Sequence, residues 1–120
     1  MTDEDCMRMA INQTNLAVRR GEQPFGAVIT LGGYLVSAAG QGVTKYGPTG
    51  HAEILAMNAA YSLDQATLYS TVEACAMCSF IARENKIKRA VYGLKSPIMG
   101  GCSHWPILQD TALNKSELAF

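Results

Sequence analysis

The run "ATLYSTVEACAMCSFIARENKIKRAVYGL", residues 66–94, constrains the fold more than any other part of the chain. Its ends, "ATLYST" and "RAVYGL", are rich in β-branched and aromatic residues, whereas "CAMCSFIARENK" between them has helical character. Two strands joined through a helix cannot form a hairpin. The crossover sets them parallel and lays a helix on a face of the sheet. Upstream, "GAVITL" and "YLVSAAG" flank Gly32 and Gly33, a pair that a tight hairpin turn accommodates, so two antiparallel strands precede the crossover.

The other segments complete an α/β pattern. From Thr2 to Arg20, Met7, Ala10, Ile11, Thr14, Ala17 and Val18 recur at helical spacing, with Thr2 or Asp3 as cap and Gly21 as stop. Residues 41–50, "QGVTKYGPTG", read as a loop, and a helix is expected to begin at His51 and end near Leu63. After Leu94 come "KSPIMGG" and "SHWPILQDTAL", where Ser103 and Pro106 could open a short helix. With 120 residues, 48% of them hydrophobic, and no repeat or linker, residues 1–120 are expected to form one domain.

Ten Lys plus Arg balance ten Asp plus Glu, which argues against a large phosphate-binding surface. No apolar run approaches the roughly 20 residues that span a bilayer, and the start, "MTDEDC", is acidic where a secretory signal is basic. The expectation is a soluble cytoplasmic protein without a membrane partner. Four cysteines beside an ordinary core read as reduced thiols or metal ligands. Cys6 and Cys102 have no partner at ligand spacing.

Cys75 and Cys78 stand at i and i+3, so both thiols face one side of a helix's first turn, where the backbone N–H groups and the dipole favour thiolate. Three readings survive: a redox dithiol, half of a zinc site, or two small core residues. A lone histidine at a helix start, such as His51, is ordinarily solvated or capping. Yet a histidine and a two-cysteine turn, each at the N-terminus of a sheet-packing helix, can converge. One nitrogen and two sulfurs leave tetrahedral Zn2+ an open fourth position, as in catalytic sites. Glu53 begins the same helix about 200° around its axis, placed to move protons without joining the ligand set.

"HAE" at 51–53 and "CAMC" at 75–78, in this order of helix, hairpin, helix, strand, helix and strand, resemble the cytidine deaminase-like superfamily of zinc nucleobase deaminases. The nearest branch contains tRNA adenosine deaminase, bacterial guanine deaminase and fungal cytosine deaminase. "PFGAV" at 24–28, "PTGHAE" at 48–53, "ATLYSTVEACAMC" at 66–78 and "RAVYG" at 89–93 extend the likeness. The resemblance implies a three-layer α/β/α fold with a mixed sheet, an N-terminal hairpin, helices on both faces and a shortened C-terminal region. It also implies zinc held by His51, Cys75 and Cys78, with Glu53 carrying protons from water to the ring nitrogen and the leaving amine. Phe25, Gly42, Ala52 and Trp105 would border the substrate, and two copies would pair through the ligand-bearing helices, which the apolar "MCSFIA" would suit.

Three departures stand out. Ala74 replaces the proline that usually precedes the first cysteine, at a position expected to be the first of the helix. The asparagine that contacts substrate in many relatives, in a "G-x-N" context, falls near "GQG", with Gly42 in its place. The chain also ends before the last strand and helix of most relatives. Together with zero net charge, this favours a small nucleobase or nucleoside over a base in tRNA or single-stranded DNA. Trp105 or His104 could wall the pocket, or Trp105 could pack an edge. Arg83, Lys86, Lys88 and Arg89 read as a solvated helix end. Two other classes stay open: a CxxC redox protein, and a structural zinc module closed by a fourth ligand such as Cys102.

Overall fold

The structure, a computed structural model, describes residues 1–61, 63–96 and 99–108. The elements run α1 (Asp3–Arg19), β1 (Gly26–Leu31), β2 (Tyr34–Gly40), α2 (Val43–Tyr46), α3 (Ala52–Ala59), β3 (Thr67–Val72), α4 (Ala76–Glu84) and β4 (Arg89–Leu94). The four strands form one sheet in the order β2-β1-β3-β4. β1 is antiparallel to both β2 and β3, and β3 is parallel to β4, as the crossover requires. Gly32 and Gly33 turn the hairpin at φ 59° and 83°, left-handed values that glycine adopts at no steric cost.

Alternation along β1 and β3 divides the core into two layers. Ala27, Ile29 and Leu68 face α3 and α4, where Ala52, Ala56, Met57 and Ala82 cover them. Val28 and Tyr69 face the other way, onto Cys6 and Ala10 of α1. Buried Ile29 and Leu68 each stabilise by about 1.5–3 kcal/mol, which anchors the two helices that begin at the site. On the opposite face α1 starts with a capping box, Thr2 and Asp5 exchanging hydrogen bonds. Asp3 then accepts from Tyr69 Oη of β3 at 2.7 Å and from both guanidinium nitrogens of Arg89 on β4. The three-layer α/β/α arrangement with a mixed sheet and a leading hairpin is as expected.

Several local expectations change. His51 is the cap of α3 rather than its first residue, and the helix ends at Ala59, four positions short of Leu63. Within the expected loop, Val43–Tyr46 forms one helical turn. Residues 101–108 make turns instead of a helix opened by Ser103 and Pro106; the rest of "SHWPILQDTAL", from residue 109, lies outside the described residues. The basic cluster is dispersed: Arg83 is buried and donates to the Ile107 carbonyl, while Arg89 pairs with Asp3. No helix among the described residues is long and apolar enough to cross a membrane.

Candidate active site

Two helix starts meet at one end of the sheet. His51 caps α3 with extended backbone, φ −68° and ψ 146°, and Cys75 caps α4 with φ −67° and ψ 174°. Neither side chain caps its own helix, so imidazole and thiol turn towards each other. Cys78, one turn into α4, is buried beside them. His51 Nδ1 lies 3.5 Å from Cys75 Sγ and 3.5 Å from Cys78 Sγ.

The three donor atoms lie within 4.8 Å of one another. Tetrahedral zinc, with bonds of about 2.3 Å to sulfur and about 2.0–2.1 Å to nitrogen, would separate nitrogen from sulfur by about 3.6 Å. The observed spacing matches. The thiols are also chemically prepared: the hydrogen bond from Cys78 brings Cys75 down to about 5, while the same bond, with burial, pushes Cys78 up. Among the described residues Cys102 does not join the group, so three ligands leave a fourth position open.

Glu53, in the first turn of α3, is only 6% exposed. Burial raises its carboxyl above the ordinary value, an effect reinforced by Cys75 and opposed by its own backbone N–H, by His51 and by the Ser70 hydroxyl. Because His51 is the cap, its angle to Glu53 follows the extended cap backbone and not the helical 200° of the sequence reading. His51, Glu53 and Cys75 line a common cavity of about 200 Å³ with Phe25, Gln41, Val72, Glu73, Ser96 and Met99. Its size suits a single heterocycle; drug-sized ligands occupy about 300–1,000 Å³.

The other sequence candidates are placed differently. Phe25 lines the cavity. Ala52 is fully buried, and its backbone N–H donates to Gln41 Oε1 at 3.0 Å. Gly42 is not among the lining residues: it borders a separate, open cavity with Arg20, Thr44 and Tyr46. Trp105 is 51% exposed, stands edge-on to His104 with centroids 4.8 Å apart, and does not line the cavity either. Ala74 precedes the cap, two positions before the first helical residue.

The sequence reading missed Gln41, Glu73, Ser96 and Met99. Glu73 is 3% exposed, and its carboxylate accepts from the segment after β4. Oε1 accepts Ser96 N–H at 3.1 Å and Ser103 Oγ–H at 2.6 Å; Oε2 accepts Cys102 N–H at 3.0 Å and Ser103 N–H at 2.6 Å. Burial opposes its charge, but the donors of Ser103, Ser96 and Cys102 outweigh burial and hold the carboxyl below its ordinary value. Gly101 N–H adds a bond to the Ala74 carbonyl at 2.9 Å. The loop that brings Met99 to the cavity is thereby fastened to the cysteine turn. An acidic residue wedged between a strand and a CxxC was the available signal.

A mixed sheet carrying a histidine–cysteine–cysteine centre and a buried carboxyl at two helix starts defines a zinc-binding α/β domain of the deaminase kind. Residues 1–94 match the family model described as the cytidine and deoxycytidylate deaminase zinc-binding region, and the chain belongs to that family. It is 34% identical to the tRNA-specific adenosine deaminase of Bacillus subtilis over 84% of this chain and 66% of that one. With the tRNA-specific adenosine deaminase of Aquifex aeolicus it shares 32% identity, over 95% of this chain and 81% of the relative. A structure from studies of A-to-I editing by tRNA:A34 deaminases superposes with a TM-score of 0.77 and 30% identity, covering 82% of this chain and 81% of that one. Guanine deaminase from Bacillus subtilis follows with a TM-score of 0.74 and 31% identity, covering 79% and 66%. Zinc is the cofactor of this family, and His51, Cys75 and Cys78 have the geometry to hold it.

Proposed function

We propose that the chain is a single-domain hydrolytic deaminase that converts an amino-substituted nucleobase or nucleoside to its keto form and releases ammonia. The observation that carries this reading is the buried Glu53 carboxyl, raised in pKa, in the same 200 Å³ cavity as His51 and Cys75 of the three-residue cluster. Zinc held by His51, Cys75 and Cys78 supplies Lewis acidity that makes water nucleophilic near neutral pH.

Glu53 does the proton work. As carboxylate it takes a proton from water and, as acid, gives it to the ring nitrogen next to the amino-bearing carbon. It then takes the second proton, from the newly added hydroxyl, and gives it to the amine, which departs as ammonia while the carbonyl forms. A carboxyl whose pKa is raised towards neutrality suits both duties. Phe25 offers the base an aromatic wall, Met99 and Val72 an apolar one, and the small cavity limits bulk water around the reacting carbon.

Ammonia release from cytosine, guanine, adenine, their nucleosides and single-stranded oligonucleotides tests the reading. Turnover on one of these, lost in Glu53→Gln with zinc retained, is the expected result. No release from any, with one zinc per chain, would sink it. A second reading, a base presented within tRNA, is favoured by the names of the two relatives above; turnover on oligonucleotides or tRNA alone would select it. We further propose a cytoplasmic homodimer joined through the ligand-bearing helices, where Phe80 of α4 remains exposed.

A further inference from the structure

Ser70 lies within β3 and is 4% exposed. Serine is not one of the β-branched or aromatic residues that strands favour, and a buried hydroxyl is costly unless it is hydrogen-bonded. Its place in the sheet supplies the partners. Ser70 stands two residues after Leu68, so both side chains leave the same face, and Ala27, its partner on β1, shares that face. Ala27 and Leu68 pack towards α3 and α4. The Ser70 hydroxyl is thereby aimed at the start of α3, where Glu53 occupies the first turn.

Two groups meet the hydroxyl there. It donates to the Val72 carbonyl, and it hydrogen-bonds the Glu53 carboxyl. Serine has one proton and two lone pairs, so it can donate to a carboxylate, or donate to Val72 while accepting from the acid form. A backbone N–H can only donate. The other hydrogen-bond partner of the Glu53 carboxyl among the described residues is its own backbone N–H. That bond lies within one residue and leaves the last side-chain torsion, broad and two-fold in glutamate, weakly defined. Ser70, on a different element, supplies the second point that fixes the plane of the carboxyl.

We infer that Ser70 is a positioning residue whose hydroxyl holds the Glu53 carboxyl in the plane from which it exchanges protons with water and the heterocycle. The inference rests on the proton-carrying role proposed for Glu53. Ser70 is not among the residues that line the cavity, so it acts through Glu53 and not on the substrate. Its contribution therefore belongs to kcat and not to KM.

Ser70→Ala removes the hydroxyl. Ser70→Thr keeps it, and Ser70→Val matches Ser70→Thr in shape but lacks it, so these two differ in the hydroxyl alone. Zinc content, melting temperature, kcat and KM are measured with whichever base or nucleoside the parent deaminates. Ser70→Ala and Ser70→Val should retain zinc and KM and lose about 3- to 10-fold in kcat, the weight of a single hydrogen bond. Ser70→Thr should stay within about twofold of the parent. A parental kcat in Ser70→Ala, even with a lowered melting temperature, would leave the hydroxyl a structural tie to Val72 and overturns the inference. Equal kcat in Ser70→Thr and Ser70→Val, or loss of zinc, overturns it as well. If the two bulkier variants do not fold, Ser70→Ala alone decides by the same split of kcat from KM. If the parent releases no ammonia, the deaminase reading falls separately. Crystal structures of the parent and Ser70→Ala at equal zinc occupancy then decide: a Glu53 carboxyl held in one plane in the parent, and rotated or split between two in the variant, supports Ser70 as its anchor. An unchanged carboxyl overturns it.

Discussion

Glu73 accepts Ser103 twice, the hydroxyl at one carboxylate oxygen and the backbone N–H at the other, each at 2.6 Å. With the N–H groups of Ser96 and Cys102, the carboxylate closes a ring of donors beneath the cavity wall. Glu73→Ala leaves those donors unmatched, and hydrogen bonds to a charged group contribute about 1.5–3 kcal/mol each before relaxation. A net loss of about 2–4 kcal/mol is expected in chemical denaturation. KM should rise while zinc content stays at one per chain; parental stability would contradict the clamp.

The clamp also depends on two glycines. A Cβ at Gly100 would overlap the Glu73 carboxylate, and one at Gly101 would overlap the Ser79 side chain. The carboxylate is fixed by four bonds and Ser79 is fully buried, so neither neighbour can give way easily. Gly101→Ala is expected to lower the melting temperature and to increase cleavage of residues 96–103 by a nonspecific protease. Unchanged protection would show that the loop docks without this close approach.

In the proposed mechanism metal binding and proton transfer fall to different residues. His51→Ala and Cys75→Ser should each abolish stoichiometric zinc, measured by metal analysis after gel filtration. Glu53→Gln should retain zinc and lower kcat by about 10²–10⁴-fold, the range for losing a general acid and base. Loss of zinc in Glu53→Gln would place that carboxyl among the ligands instead.

Acid stability should report on Asp3. The hydrogen bond from Arg89, and then that from Tyr69, holds its carboxyl well below the usual range. A carboxyl depressed in the folded state stabilises above its unfolded value, near 3.8, and loses that contribution as pH falls towards the folded value. Asp3→Asn should melt below the parent at pH 7, with the gap narrowing under pH 4. A constant gap from pH 7 to pH 2 would argue that charge is not the source.

Ala74→Pro tests the turn before the cysteines. Ala74 lies ahead of the Cys75 cap, and no hydrogen bond from its N–H exists among the described residues, while its carbonyl serves Gly101 and Ser79. Proline removes no bond there and restricts the unfolded chain, so zinc and turnover should stay near parental, with about 0.4–1 kcal/mol of added stability. Loss of metal would mean that this backbone cannot take the proline φ.

Much of the fold was legible because it rests on local patterns. The β-favouring runs of β1 and β3, the glycine pair at 32–33 and the apolar stripe of α1 need no long-range information. The convergence of His51, Cys75 and Cys78 was legible for a different reason: they are rare residue types in the first turns of two helices that begin at one end of the sheet. The cavity wall was not. Glu73 and Gln41 are common polar residues whose roles arise from partners 23 to 30 and 11 positions away, separations that leave no local pattern. Gly42 drew notice through its neighbours, while the side chain that reaches the cavity belongs to the residue before it. Trp105 was singled out for its place after the fourth strand, yet its half-exposed ring stands edge-on to His104 and does not line the cavity.

Hanging the Met99 loop from Glu73 separates two kinds of heritable change. The cysteines belong to the turn, whereas Met99 belongs to a segment whose ends are tied down at Ser96 and at Cys102–Ser103. Substitutions at Met99 can reshape the cavity without moving either cysteine. The shape of the cavity can therefore vary at one loop while the His51, Cys75 and Cys78 cluster stays in place.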